Sequence, residues 1–272
     1  VASILTSGES ATPQPKMHSD QAPYSELLEQ LDDCNEDGEL EPVIGEWLRT
    51  HPGESAWIAG LKRVDESSGI PEMSVEDRWR LYALSRVSDA LIERIGKDRG
   101  RKHHYTAFMQ SLGLCEIDAR DFHPFYHEVV EVTPSATVDA PITISTIAWP
   151  GFMCGPLMIA RAGVSVTGGT MHTRKDIAEA STLYWCYRRA GRAVEDLSLG
   201  WGGNSQWRTA FRRDYRIGGH YFYNVDGEND PVSSLLDESA LAELLRHRCF
   251  ILRDSQHVDL YPYQLRHHEP VA

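Results

Sequence analysis

Lysine is scarce in this chain: five residues against 22 arginines, and none after Lys175. With a net charge of −13, no diffuse basic face is available to neutralise phosphates, so a general nucleic-acid binder is not expected. Cysteine is also thin. Cys34, Cys115, Cys154, Cys186 and Cys249 are scattered, odd in number and include no C-x-x-C. That usage suits reduced thiols and a cytoplasmic location better than a disulfide framework. Of the four asparagines (35, 204, 224, 229) none opens an N-x-S/T sequon. The first twenty residues hold no basic stretch followed by an apolar run, so no secretory signal is expected.

Long hydrophobic runs are missing as well. The charge-free stretch 140–160 is interrupted by Pro141, Pro150 and Pro156, each of which removes a backbone donor that a spanning helix needs. It reads as a buried strand, a turn and a short helix starting at Pro156, with no membrane partner. Several signatures are absent: G-x-G-x-x-G after a strand, G-x-x-x-x-G-K-[ST], H-E-x-x-H, G-x-S-x-G and the kinase set. The commonest dinucleotide, P-loop, gluzincin and hydrolase readings lose their support.

What is present is an ordinary globular composition, 41% hydrophobic and 25% charged over 272 residues, enough for one large domain or two small ones. Residues 1–22, rich in Ser, Thr, Pro and Gln, are expected to form a disordered tail. Residues 23–113 read as mainly helical. SELLEQL (25–31) and PVIGEWL (42–48) are short amphipathic pieces. Ser74 and Asp77 form a capping pair for a helix to about Ile95, and YTAFMQSLGL (105–114) is a further helix. From 114 to 272 the texture is α+β. HEVVEV (127–132), ITISTIA (142–148) and VSV (164–166) read as strands, and Thr173 with Asp176 opens a helix to about Arg189. FRRDYRI-GG-HYFYNV (211–225) is a hairpin signal that places Tyr215 opposite Phe222 and Arg213 opposite Asn224. ESALAELLRHR (238–248) is a helix and CFIL (249–252) a strand. The fold class is therefore α+β: a helical N-terminal part packed on a mixed C-terminal part, as two regions or one composite domain.

Charge is segregated along the chain. Between Lys16 and Arg49 there are ten acids and no Lys or Arg; between Tyr184 and His220 there are seven arginines against three acids. The basic island contains 200-GWGGNSQWRTAFRRDY-215. Its glycines let backbone N–H groups approach a ligand. Arg208, Arg212 and Arg213 offer planar forks for phosphate or carboxylate. Trp201 and Trp207 can stack on a ring, while Asn204 and Gln206 can read polar edges. This leads to a cytoplasmic, soluble protein binding an anionic small molecule. In an enzymatic version Asp214, Tyr215 or His220 moves a proton. The competing structural reading has these arginines paired with the acidic 20–48 segment and the tryptophans in the core.

Three further constellations bear chemistry. Cys154, in PGFMCGP, is a candidate nucleophile at a tight turn, with His172 as base, although a small buried core residue fits this apolar segment better. His123, His127 and His172 are candidate divalent-metal ligands, with His220 or Cys154 as distant partners. In an extended chain His123 and His127 would lie about 13 Å apart, too wide for one ion. In 33-DCNEDGEL-40, Asp33, Asn35 and Asp37 stand at the first, third and fifth places of an EF-hand-like loop. The twelfth place, where a bidentate Glu belongs, is Ile44. Alternative functions are a metalloenzyme built on these histidines, or a non-catalytic acidic protein of immunity or adaptor type that binds a basic protein partner.

Overall fold

The computed structural model describes residues 22–34, 40–63, 69–95, 102–173, 175, 211–227 and 266–271. Among them are five helices followed by nine strands, an α+β arrangement with the helices in the N-terminal part.

The helices follow from their apolar spacing. In α1 (Ala22–Asp33), Tyr24, Leu27 and Leu31 stand three and four residues apart and are fully buried, with Cys34 continuing the stripe. In α2 (Leu40–Thr50) the inward stripe is Leu40, Ile44 and Trp47, and the Trp47 indole N–H donates to Pro23 O at 2.7 Å. α3 (Gly53–Leu61) is a helix that periodicity alone did not delimit, and its hydrophobic face is short. Two polar contacts hold it against α4 (Val75–Ile95): Arg80 forks onto the buried Glu54 at 2.5 and 3.1 Å, and the Trp57 indole N–H donates to Asp77 Oδ1 at 2.7 Å. Arg80 also lies over the Trp57 ring, 4.2 Å from its centroid. The start of α4 is capped as its sequence predicts. Ser74 Oγ accepts the Asp77 N–H at 3.0 Å and donates to Asp77 Oδ2 at 2.9 Å.

α5 (Lys102–Ser111) carries the core onward, with Tyr105, Phe108 and Met109 buried and Tyr105 edge-on to Phe152. Phe152 belongs to a six-stranded antiparallel sheet with strand order β1-β4-β5-β7-β8-β9. Its strands are β1 (Cys115–Glu116), β4 (Phe152–Cys154), β5 (Leu157–Ala160), β7 (Tyr215–Ile217), β8 (His220–Tyr223) and β9 (His267–Pro270). One buried apolar cluster runs without interruption from Tyr24 through α5 to Phe152, Leu157, Tyr215 and Ile217. The opposite face of the sheet carries a smaller aromatic cluster of Phe125, Tyr221 and Tyr223 with Met158. A second sheet has β6 (Ala162–Gly168) at its centre, parallel to β2 (His127–Pro134) and antiparallel to β3 (Thr143–Trp149). Its own core is Val129, Val132, Ala162, Val164 and Val166.

Two local expectations are corrected. The segment after Pro156 is the strand β5, not a short helix. Gly155, at φ 56°, and Pro156 turn β4 back on itself, and β5 gains partners on both sides, β4 and β7. The hairpin turns at Gly218-Gly219 with Tyr215 opposite Phe222, as its pattern predicts. Arg213, however, is not paired with Asn224: its carbonyl accepts the Val225 N–H at 3.0 Å, and Asn224 is bulged with φ 49°.

The expected tail lies outside the described residues except for Ala22, which begins α1. So do the expected helix 238–248, the strand 249–252 and most of the helix after Thr173.

Candidate functional site

The basic island enters the described residues only at its end, where β7 begins. Arg212, Arg213 and Asp214 precede a strand whose ladder forces alternation: Tyr215 and Ile217 point into the core and Arg216 outward. Asp214 is 1% exposed and is the hub of a charged cluster. Arg212 Nε donates to its Oδ1 at 3.0 Å, and Arg212 Nη2 stands 3.0 Å from Oδ2. Arg161, just after β5, donates to the same Oδ2 and also, through Nε, to Pro124 O at 3.1 Å. The Asn224 N–H completes the set at 2.6 Å. Burial by itself would raise the Asp214 pKa, yet the Arg212 and Arg161 charges with the Asn224 N–H outweigh it and hold the carboxyl below its ordinary value.

Arg213 is equally engaged. Its Nε and Nη2 fork onto Asp226 at 2.7 and 2.6 Å, and Nη1 donates to Pro71 O at 2.8 Å. Nη1 also reaches the Tyr215 hydroxyl at 3.4 Å, and burial moves that phenol's pKa upward. Arg212 and Arg213 thus meet Asp214 and Asp226 rather than the acidic α1–α2 segment. From the other side of the fold, Arg94 reaches that segment through the carbonyls of Leu31 and Cys34. Arg208, Trp201, Asn204, Gln206 and Trp207 lie outside the described residues.

His220 is exposed on β8, with Nδ1 3.2 Å from Gly218 O. Cys154 is fully buried in β4, its thiol donating to Ile58 O at 3.4 Å. Burial pushes that thiol up to about 11, which keeps it protonated at neutral pH. His172 follows the end of β6 in the other sheet, with Nε2 3.2 Å from Asp139 O. His127 starts β2 opposite Ala162, while Pro134 at the strand's end faces Gly168. His172 therefore stands beyond the far end of that ladder, about 20 Å from His127 at the strand rise.

His123 and His127 are closer than an extended chain would place them. Residues 123–127 form a turn in which both the Tyr126 and the His127 N–H donate to His123 O at 3.0 Å. Pro124 at its second position suits this turn. His127 Nδ1 accepts the His123 N–H at 3.0 Å and Nε2 faces Ala119 O at 3.2 Å, so both ring nitrogens meet backbone. His123 Nδ1 accepts the Phe125 N–H at 3.1 Å, which leaves Nε2 toward Glu269, 3.9 Å away. Glu269 accepts the Tyr223 hydroxyl at 2.6 Å. Burial lowers the pKa of both histidines; at His123 the Glu269 charge partly opposes it. Among the described residues no group of three or more His, Cys, Asp and Glu side chains could hold a metal ion. Asp33 ends α1 exposed, and Ile44 is buried in α2; Asn35 and Asp37 lie outside the described residues.

The acidic end has a clear geometry. On α1, Glu26, Glu29 and Asp33 line the face opposite the core stripe, at three- and four-residue spacing, with Asp32 beside them. On α2, Glu41 and Glu46 are exposed, and Glu46 holds the one basic residue of that helix, Arg49, at 2.5 Å. The sequence showed the charge run; that each of these acids is exposed while the apolar stripes of α1 and α2 are buried required the packing. No described helix is long and apolar enough to cross a membrane. The chain matches no protein-family model, no curated protein and no solved structure.

Proposed function

We propose that this chain is a non-catalytic interaction protein, of the immunity or adaptor kind, whose acidic α1–α2 face receives a basic protein partner. The observation that carries the reading is the outward row Glu26, Glu29 and Asp33 on α1, with Glu41 and Glu46 also exposed on α2, helices whose apolar stripes are committed to the core. Such a row steers a positively charged partner and raises its rate of encounter. The engagement of Arg212, Arg213, Asp214, Tyr215 and Cys154 in buried contacts supports the same reading, since each has a structural role without a substrate. A pocket for an anionic small molecule rests on Arg208, Trp201, Asn204, Gln206 and Trp207, which lie outside the described residues.

The experiment is affinity capture from the source cells at low salt and again at about 0.5 M salt, where exposed charges are screened within a few ångströms. A second bait carries Glu26→Gln, Glu29→Gln, Asp33→Asn and Glu41→Gln. A basic protein held by the first bait, released by salt and absent from the second supports the proposal. An identical set of proteins on both baits, with equal melting curves, removes it.

A further inference from the structure

The end of α3 meets the first strand of the sheet at a pair of reactive side chains that the interaction role does not use. Lys62, at the C-terminal cap of α3, sends its ammonium to Gly113 O, where the chain leaves α5, and to Cys115 Sγ at 4.0 Å. Cys115 is exposed in β1. The contact joins positions 53 residues apart. Gly155 keeps this corner closed: it sits at φ 56°, and a Cβ there would stand 3.1 Å from Lys62 O.

The described thiols near this corner do not compete with Lys62. Cys115 pairs with Met153 across the β1–β4 ladder, so Cys154, the next residue, projects to the opposite face. Cys154 is also fully buried and hydrogen-bonded to Ile58 O. Cys34 is buried among the helices. The Lys62 amine, 4.0 Å from Cys115 Sγ, is therefore the exposed partner of an oxidised Cys115. The Cys154 thiol, close enough to feel the charge of both, is buried and engaged with Ile58 O.

We propose that Lys62 and Cys115 form an oxidative modification site, at which a peroxide joins the two side chains through a sulfur–nitrogen bond. The thiolate attacks one peroxide oxygen, the O–O bond breaks, and the departing hydroxide takes a proton from the Lys62 ammonium to leave as water. Sulfur is oxidised to the sulfenic acid, peroxide is reduced, and a neutral amine is left beside it. The Lys62 nitrogen then attacks the sulfur, its lone pair forms the S–N bond, and the sulfenic oxygen leaves with an amine proton as a second water. The product ties α3 to β1 and is reopened by a thiol, which returns the amine and a mixed disulfide that a second thiol clears.

The test is intact-mass and peptide mapping of the full chain after hydrogen peroxide, alongside Cys115→Ser and Lys62→Arg. Arginine keeps the positive charge but not the nucleophilic amine. The expected result is a loss of about 2 Da, with the Lys62 and Cys115 peptides joined, reversal by dithiothreitol, and neither change in the variants. The joined form melts higher than the untreated chain because a 53-residue loop is closed. In Lys62→Arg, Cys115 instead accumulates two or three oxygens. Added oxygens at Cys115 in the unmodified chain, with no joined peptide, overturn the proposal. So does a disulfide from Cys115 to any other cysteine.

Discussion

Asp214 Oδ1 accepts the Asn224 N–H at 2.6 Å across the hairpin that joins β7 to β8. A side chain stands in place of the ladder carbonyl, so the two strands part by one residue just beyond the Tyr215–Phe222 pair. Asn224 takes a φ of 49°, and Arg213 is carried to Val225 and, through its guanidinium, to Asp226. The charged cluster and the bulge are one device. The carboxylate that binds Arg161 and Arg212 also sets the register at which the hairpin ends.

Replacing Asp214 removes the carboxylate on which two largely buried guanidiniums converge. Asp214→Ala should lower unfolding free energy by about 3–5 kcal/mol, as removal of one partner from a buried ion pair does. Asp214→Asn should lose less, because it can still accept the Asn224 N–H. Urea unfolding followed by circular dichroism measures both, and a loss under about 1 kcal/mol for the alanine variant would refute the hub.

The left-handed backbone at Asn224 makes a separate prediction. Glycine tolerates that conformation and alanine does not, so Asn224→Ala should be less stable than Asn224→Gly by about 1 kcal/mol. Urea midpoints of the two variants decide it, and equal midpoints would mean that the bulge relaxes.

Gly163 lies against the Trp149 indole, and a Cβ built there would stand 2.3–2.5 Å from its ring carbons. The indole N–H is held by Arg161 O at 3.1 Å, which limits the ring's freedom to move aside. Gly163→Ala should therefore cost about 1–3 kcal/mol through overpacking and shift the Trp149 fluorescence. An unchanged spectrum and melting temperature would show that the strand accommodates a methyl group.

Acid should act on this fold in two stages. Burial lowers the pKa values of His123, His127 and His267, so the unfolded chain binds protons more readily at those sites. Their contribution is fully present above the ordinary histidine value of about 6.5 and is lost as pH falls from there toward the folded values. The carboxyls of Asp214 and Asp226 are also held below their ordinary value, and their contribution is lost at lower pH, as pH falls through their folded values. Urea midpoints measured from pH 8 to pH 3 should fall in both ranges. His127→Gln, with an amide at a ring that now meets backbone on both nitrogens, should flatten the upper one. A midpoint independent of pH between 7 and 5 would contradict the histidine assignment.

Much of the helical part was legible in the residues because a helix repeats locally. The stripe Tyr24–Leu27–Leu31, the Ser74–Asp77 cap and the run through Leu84, Val87 and Leu91 each lie within a few turns and announce a buried face. α3 was not legible, since its attachment depends on Glu54 meeting Arg80, 26 residues away. The stretch Leu157–Ala160 was misread because proline before an apolar run suits a helix start, and nothing local reveals strands waiting on both sides. The turn at His123 was misread in the same way, as an extended approach to β2.

By itself, the sequence determined the α+β division, the Gly218-Gly219 turn and the separation of an acidic end from a basic island, because composition and short-range periodicity carry them. Only the tertiary structure decided what the charges meet. Arg213 reaches Asp226, Arg212 and Arg161 share Asp214, and Lys62 stands beside Cys115, while the acids of α1 and α2 face outward. Coulomb attraction acts between any two opposite charges, and which pair forms is settled by the backbone path that brings residues tens of positions apart to within hydrogen-bond distance.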